Sequence, residues 1–256
     1  MRNILISVFG LIILLGLVVY LIERLTPLNK NQIFGVSYSP GYAQYLGLNY
    51  QETYKKIIGE LGFKYVRLMA QWDEIEKEKG KYDFSQLDWL MNESEKHNIK
   101  VTLAVGRKTP RWPECHLPDW AKQKDYQDYR VDLLKYIEAV VKRYKNYPSL
   151  EIWQVENEPF LSFGLCKPVS PIDLTEEINL VTKFDGGAHK IIITDSGELS
   201  TWRKTALAGD LFGTTLYRTV WSKWFGYFNY DWVPAIFYQA KLQLVGRNKN
   251  QSFVIE

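Results

Sequence analysis

Residues 150–160 read Leu150-Glu151-Ile152-Trp153-Gln154-Val155-Glu156-Asn157-Glu158-Pro159-Phe160. The stretch starts as a buried strand, with Ile152, Trp153 and Val155 close together, and runs into a proline. Proline has no backbone N–H and disfavours helical backbone in the residue before it, so the strand stops here. Glu158 is thereby left at the C-terminal end of a strand, with Asn157 beside it. Parallel α/β folds carry their chemistry at that end. A carboxyl group held there can donate a proton, although a lone Glu at a strand end can also be purely structural.

On both sides of this stretch, strand-like and helix-like runs alternate. Gln32–Ser39, Lys64–Ala70, Ile99–Gly106, Lys190–Thr194, Gly213–Thr219 and Ser252–Glu256 read as further strands. Between them lie apolar stripes of helical period over Tyr50–Leu61, Ser85–His97, Tyr126–Tyr144, Leu174–Phe184 and Pro234–Val245, with a short helix over Thr201–Ala208. Alternation at this spacing means parallel β/α units. The 256 residues, 46% of them hydrophobic, suit one (β/α)8 barrel domain. Seven strands can be read, so the expected fold class is a TIM-type α/β barrel with its last β/α unit missing. An open doubly wound sheet is the alternative.

Asn157-Glu158-Pro159, after an apolar strand containing Trp153, resembles the fourth-strand motif of the retaining glycoside hydrolases built on this barrel, the group that includes the family 5 cellulases and mannanases. The resemblance implies that Glu158 is the general acid/base and that Asn157 bonds the sugar 2-hydroxyl. It also implies a nucleophilic Glu at the end of strand seven, where Glu256 stands. Arg67, ending strand two, would hold that nucleophile ionised, and Tyr217, ending strand six, would bond it. Their alternatives are a surface arginine and core packing.

The loop after strand three holds Arg107, Trp112, Glu114 and His116 among three prolines. Stiff loops with exposed rings suit a binding site, so Trp112 and His116 are the expected substrate contacts. Cys115 and Cys166 fall in the loops after strands three and four, which should be neighbours, and either pair as a disulfide or stay as free thiols. Glu156 shares its strand face with Glu158 if the strand runs straight, which suggests a supporting role. Trp221 opens an aromatic-rich segment reaching Trp232 that reads as a stacking platform for sugar, or as a membrane-contact surface. Asp195 and Glu198 read as turn caps or hydroxyl ligands.

Net charge is +3 with both signs mixed, so nothing points to nucleic acid. Two cysteines are too few for a zinc site, and the expected chemistry needs no metal or organic cofactor. The expected partner is an oligo- or polysaccharide. The same scaffold also admits a transglycosidase or a non-catalytic sugar-binding protein.

Residues 4–22 carry no charge and would span about 28 Å as a helix, which predicts a transmembrane anchor or a signal peptide. The implied organisation is a cytoplasmic tip (1–3), the anchor (4–22), a linker (23–31) and an extracytoplasmic barrel domain (32–256).

Overall fold

The computed structural model describes residues 9–11, 13–14, 16–18, 20–21, 33–222, 226–247 and 251–255. Seven parallel strands form the main sheet. They are β1 (Gly35–Ser37), β2 (Tyr65–Met69), β3 (Lys100–Val105), β4 (Leu150–Val155), β5 (Lys190–Asp195), β6 (Leu211–Thr214) and β9 (Ser252–Val254). Their spatial order follows the chain, β1-β2-β3-β4-β5-β6-β9. An antiparallel hairpin, β7 (Thr219–Ser222) and β8 (Gly226–Asn229), rises between β6 and the last strand.

The helices are α1 (Pro40–Tyr45), α2 (Tyr50–Lys55), α3 (Trp72–Ile75), α4 (Ser85–Lys96), α5 (Asp119–Lys122), α6 (Tyr126–Tyr144), α7 (Pro171–Asp185) and α8 (Ala235–Leu244). In α6 the residues Tyr129, Leu133, Tyr136, Ile137, Val140, Val141 and Tyr144 recur at three- and four-residue spacing and are all buried. Each such side chain stabilises by roughly 1.5–3 kcal/mol, so Leu133→Ala would cost about 2–5 kcal/mol. α7 starts where Ser170 accepts the Asp173 amide and Pro171 sets the first turn. It stops at Gly186, whose φ of 75° is left-handed.

Between α7 and the sheet, Trp153 donates its indole N–H to Asp185 at 2.9 Å. Asp185 also accepts the His189 amide, which fixes the entry into β5. The β3–β4 register skips Glu151, since Val101 pairs with Leu150 and Thr102 with Ile152. This one-residue bulge sets which residues of β4 reach its C-terminal end.

Three expectations are corrected. Among the described residues no helix is long and apolar enough to cross a membrane. That overturns the anchor over 4–22 and the membrane-anchored, extracytoplasmic placement that rested on it. Residues 4–8, 12, 15, 19 and 22 of that segment lie outside the described residues. The sixth strand ends at Thr214, so Tyr217 lies beyond it. Residues 203–208 form turns in place of a helix, because Trp202 takes a left-handed φ of 64° and Asp195 binds the hydroxyls of Ser200 and Thr205. The aromatic-rich segment is partly a hairpin, with Trp221 paired across to Tyr227.

Candidate functional site

The C-terminal ends of β3, β4, β5 and β6 converge on residues 156–158. β4 ends at Val155, and the next residues leave the extended region. Glu156 has φ 58° and Glu158 has φ 43°, both left-handed, which is costly for a residue with a Cβ. These turns send the two carboxylates in different directions. Glu156 reaches back to the end of β3, where it accepts the backbone N–H of Arg107 at 2.9 Å and of Lys108 at 2.6 Å. Glu158 turns towards β5 and β6. Its amide donates to Thr194 Oγ1 at 2.9 Å, and its Oε1 accepts the Thr215 hydroxyl at 3.1 Å. Thr215 in turn accepts the Gly197 amide at 3.1 Å, which aims its own proton at Glu158.

Asn157 is fully buried between them. Its Oδ1 accepts from Gln154 Nε2 at 3.1 Å and from Thr194 Oγ1 at 3.2 Å, and its amide N–H donates to the Lys108 carbonyl. Its side-chain NH2 has no hydrogen-bond partner among the described residues. Buried donors are normally satisfied, so this amide has donor capacity left for a group outside the chain.

Lys108 holds the turn from beneath. It is completely buried, and its ammonium donates to the carbonyls of Glu158 at 3.2 Å and Leu161 at 2.8 Å. Burial pushes its pKa down, while Glu156, Glu114 and Glu158 oppose that shift. Sequence reading passed over this residue. Its only signal was a lysine right after an apolar strand, at a position from which its side chain could reach the next strand.

Arg67 sits on β2, buried, and donates through Nε to Ser37 Oγ on β1 at 2.9 Å. Tyr217 follows β6 and is half-exposed. Glu256 lies outside the described residues. The strand leading to it runs beside β6, with Thr214 opposite Val254 and the Ile255 amide donating to the Thr214 carbonyl at 2.9 Å. Trp221 stands exposed on β7, away from the cluster's described contacts.

The loop after β3 lines a cleft of about 750 Å³ with Ser39, Tyr42, Tyr45, Gln71, Asp73 and Glu74. Trp112 on its rim is 70% exposed, and its ring meets Phe163 edge-on. His116 is buried at the wall, with Nδ1 3.4 Å from Asp73 and Nε2 3.2 Å from Gln71. A disulfide joins Cys115 to Cys166, so the loops after β3 and β4 are tied together. Neither Glu158 nor Asn157 lines this cleft. It adjoins the loops of β1, β2 and β3, while the carboxylate cluster faces β5 and β6. Among the described residues the Asp195 carboxylate accepts from the Ser196 amide and the hydroxyls of Ser200 and Thr205, as a cap does.

The beta-galactosidase family model Glyco_hydro_42 matches residues 48–167, a span that includes Arg67, Lys108, Trp112, His116, Asn157 and Glu158. Over this span, somewhat less than half of its length, the chain is similar to glycoside hydrolases. A beta-galactosidase of a Geobacillus species, BgaB, is 27% identical over 129 residues, covering 43% of this chain and 19% of that protein. The chain thus spans about a fifth of the length of this curated relative. Among solved structures, a GH5_18 protein of Streptomyces cattleya in complex with GlcNAc superposes with TM-score 0.58 at 15% identity, over 72% of this chain and 51% of that one. The beta-galactosidase of Rahnella sp. R3 does so with TM-score 0.58 at 16% identity, over 74% and 39%. These likenesses show the fold, a TIM-like half-barrel. The sequence match is to beta-galactosidase and the structural neighbours include GH5_18 proteins, so the resemblance to glycoside hydrolases holds at that wider level without singling out the cellulases and mannanases.

Proposed function

We propose that this chain hydrolyses O-glycosidic bonds of an oligo- or polysaccharide by a retaining double displacement. Glu158 protonates the departing glycosidic oxygen and afterwards takes a proton from the attacking water. Glu256 attacks the anomeric carbon, and Arg67 and Tyr217 steady that carboxylate. Retention needs the two carboxyl groups about 5–5.5 Å apart. The reading gains support from β9, which delivers the chain beside Thr214, next to the threonine that binds Glu158.

The observation that carries the proposal is the Asn157 side chain. Its oxygen is doubly engaged while its buried NH2 has no partner among the described residues, beside a carboxylate held at a strand end. A sugar hydroxyl is the acceptor this arrangement fits. A hydrogen bond to the 2-hydroxyl that strengthens as charge develops lowers the barrier. Trp112 and His116, in the separate cleft beside the loops of β1, β2 and β3, would then contact sugar units that extend beyond Asn157 and Glu158.

The names of the relatives make aryl β-D-galactosides the first substrates to try. The test is incubation with 2-deoxy-2-fluoro glycosides followed by peptide mass spectrometry. Covalent labelling of Glu256 is expected. Sugar binding by calorimetry without labelling or turnover would replace the hydrolase with a non-catalytic binder. Labelling with transfer to an added acceptor sugar, outpacing transfer to water, would indicate a transglycosidase.

A further inference from the structure

The turn after β5 is held by groups that the hydrolytic reading does not use. Trp202, fully buried, donates its indole N–H to the Ser196 carbonyl at 2.7 Å. Tyr238 on α8 donates its hydroxyl to Glu198 Oε1 at 2.6 Å. Lys241, three residues further along α8, donates its ammonium to the Gly197 carbonyl at 2.5 Å. Its Nζ also lies 4.0 Å from the centre of the Trp202 ring, a cation–π contact. The helix reaches this turn because Tyr238, Leu242 and Val245 pack on Trp202, Ala206 and Phe212.

The same turn leads to the candidate site. The Gly197 amide donates to Thr215 Oγ1 at 3.1 Å, and the Thr215 hydroxyl donates to Glu158 Oε1 at 3.1 Å. A Cβ on Gly197 would lie 2.2 Å from the Thr215 carbonyl oxygen, so only glycine lets the two segments approach this closely. Gly197 is thus gripped at its carbonyl from α8 and at its amide from the end of β6. Two hydrogen bonds separate the residue that Lys241 holds from the carboxylate. We propose that Lys241 is a positioning residue for Glu158: by gripping the Gly197 carbonyl and the Trp202 ring, it fixes the Gly197 amide that orients the Thr215 hydroxyl on that carboxylate. Any effect on turnover rests on the acid/base role proposed for Glu158, whereas the link through Gly197 does not.

The charged and titratable groups facing Lys241 are Asp195 at the end of β5 and Glu198 on the turn, with Tyr238 on its own helix and Arg218 beside that tyrosine. Burial pulls Lys241 down to about 8, against the two carboxylates. The ammonium is therefore charged at pH 7 and loses its proton as pH rises through that value, which makes the link sensitive to mild alkali.

The first readout uses no sugar. Ser196-Gly197 is the sole Ser-Gly step in the sequence, so full chain labelled at serine carbonyl carbons and glycine nitrogens gives one correlated amide signal, that of Gly197. In the wild type this signal should move with a midpoint near pH 8. In Lys241→Met the movement should vanish, and the amide should exchange in D2O about tenfold faster. A Gly197 signal identical in the two proteins overturns the proposal. Should K241M fail to fold, the wild type decides alone, and a signal that stays still through pH 8 overturns it. The second readout is turnover of an aryl glycoside. K241M should lower kcat about tenfold with KM little changed, and Lys241→Arg should recover most of the loss. The double variant K241M/T215V should be no slower than T215V, because both act through one hydroxyl. Losses that multiply, or that fall on KM alone, overturn the proposal. A wild type without turnover would sink the hydrolase reading, and the Gly197 signal would still decide the link.

Discussion

Thr215 donates its hydroxyl to Glu158 across the gap between the end of β6 and the end of β4, at 3.1 Å, while its own oxygen accepts the Gly197 amide. The bond fixes the carboxylate orientation from a third strand and is independent of Lys108, which holds the backbone of the same residue. Thr215→Val removes the donor and leaves the Gly197 amide unsatisfied. A hydrogen bond to a charged group contributes about 1.5–3 kcal/mol, so kcat should fall roughly 10- to 100-fold. Thr215→Ser, which keeps the hydroxyl, should stay close to wild type. Equal losses in both variants would remove the hydroxyl from the account.

Trp112 is the exposed ring at the rim of the cleft, and losing it deprives the protein of little packing. Trp112→Ala should leave thermal stability within about 0.5 kcal/mol, as substitutions at open surface sites do. If the ring stacks on sugar, KM should rise about fivefold, equivalent to roughly 1 kcal/mol, with kcat little changed. Steady-state kinetics beside a melting curve separates the two. A stability loss without a KM change would make the ring structural.

Cys115 and Cys166 close a loop of 51 residues that contains all of α6 and β4. Chain-entropy arguments give about 4 kcal/mol for a loop of this length, and measured effects of removing a disulfide are typically 2–4 kcal/mol. The double Cys→Ser variant should therefore unfold at clearly lower denaturant with a similar or steeper slope. It should also free the Trp112 loop from the loop after β4 and weaken sugar binding. An unchanged denaturation midpoint would show that packing alone positions those loops.

What the sequence disclosed depended on the range of the pattern. The α6 limits are legible because seven apolar residues repeat over 19 positions, and only one element can bury such a stripe. β4 is legible because Pro159 follows an apolar run. The divergence of Glu156 and Glu158 is not legible, because strand alternation assumes extended backbone and both residues adopt left-handed angles set by tertiary contacts. The hairpin was missed for a related reason. Aromatic density from Trp221 to Trp232 conceals a four-residue antiparallel alternation, whose second strand begins at Gly226 with φ 67°. Lys108 illustrates the opposite limit. Lysine is almost never fully buried, so no composition rule puts it in the core unless a partner is known.

Lys108 also gives the sharpest separation between fold and site. Its ammonium satisfies the carbonyls of Glu158 and Leu161, which belong to the turn presenting the acid/base candidate. Lys108→Met keeps most of the side-chain volume and removes the donors, leaving two carbonyls without their charged partner. Stability should drop by about 1.5–3 kcal/mol at pH 7. Burial holds the lysine below its ordinary 10.5, so the wild type is penalised for keeping the charge. That penalty is relieved as pH rises from the lowered folded value towards 10.5, because the unfolded chain then binds more protons than the folded one. The gap between wild type and K108M therefore depends on pH across that alkaline window, and denaturant melts from pH 7 to 10.5 would record it. A K108M protein as stable as wild type, with full turnover, would mean that the 158–161 turn is held by its own backbone and by Thr194 and Thr215 alone.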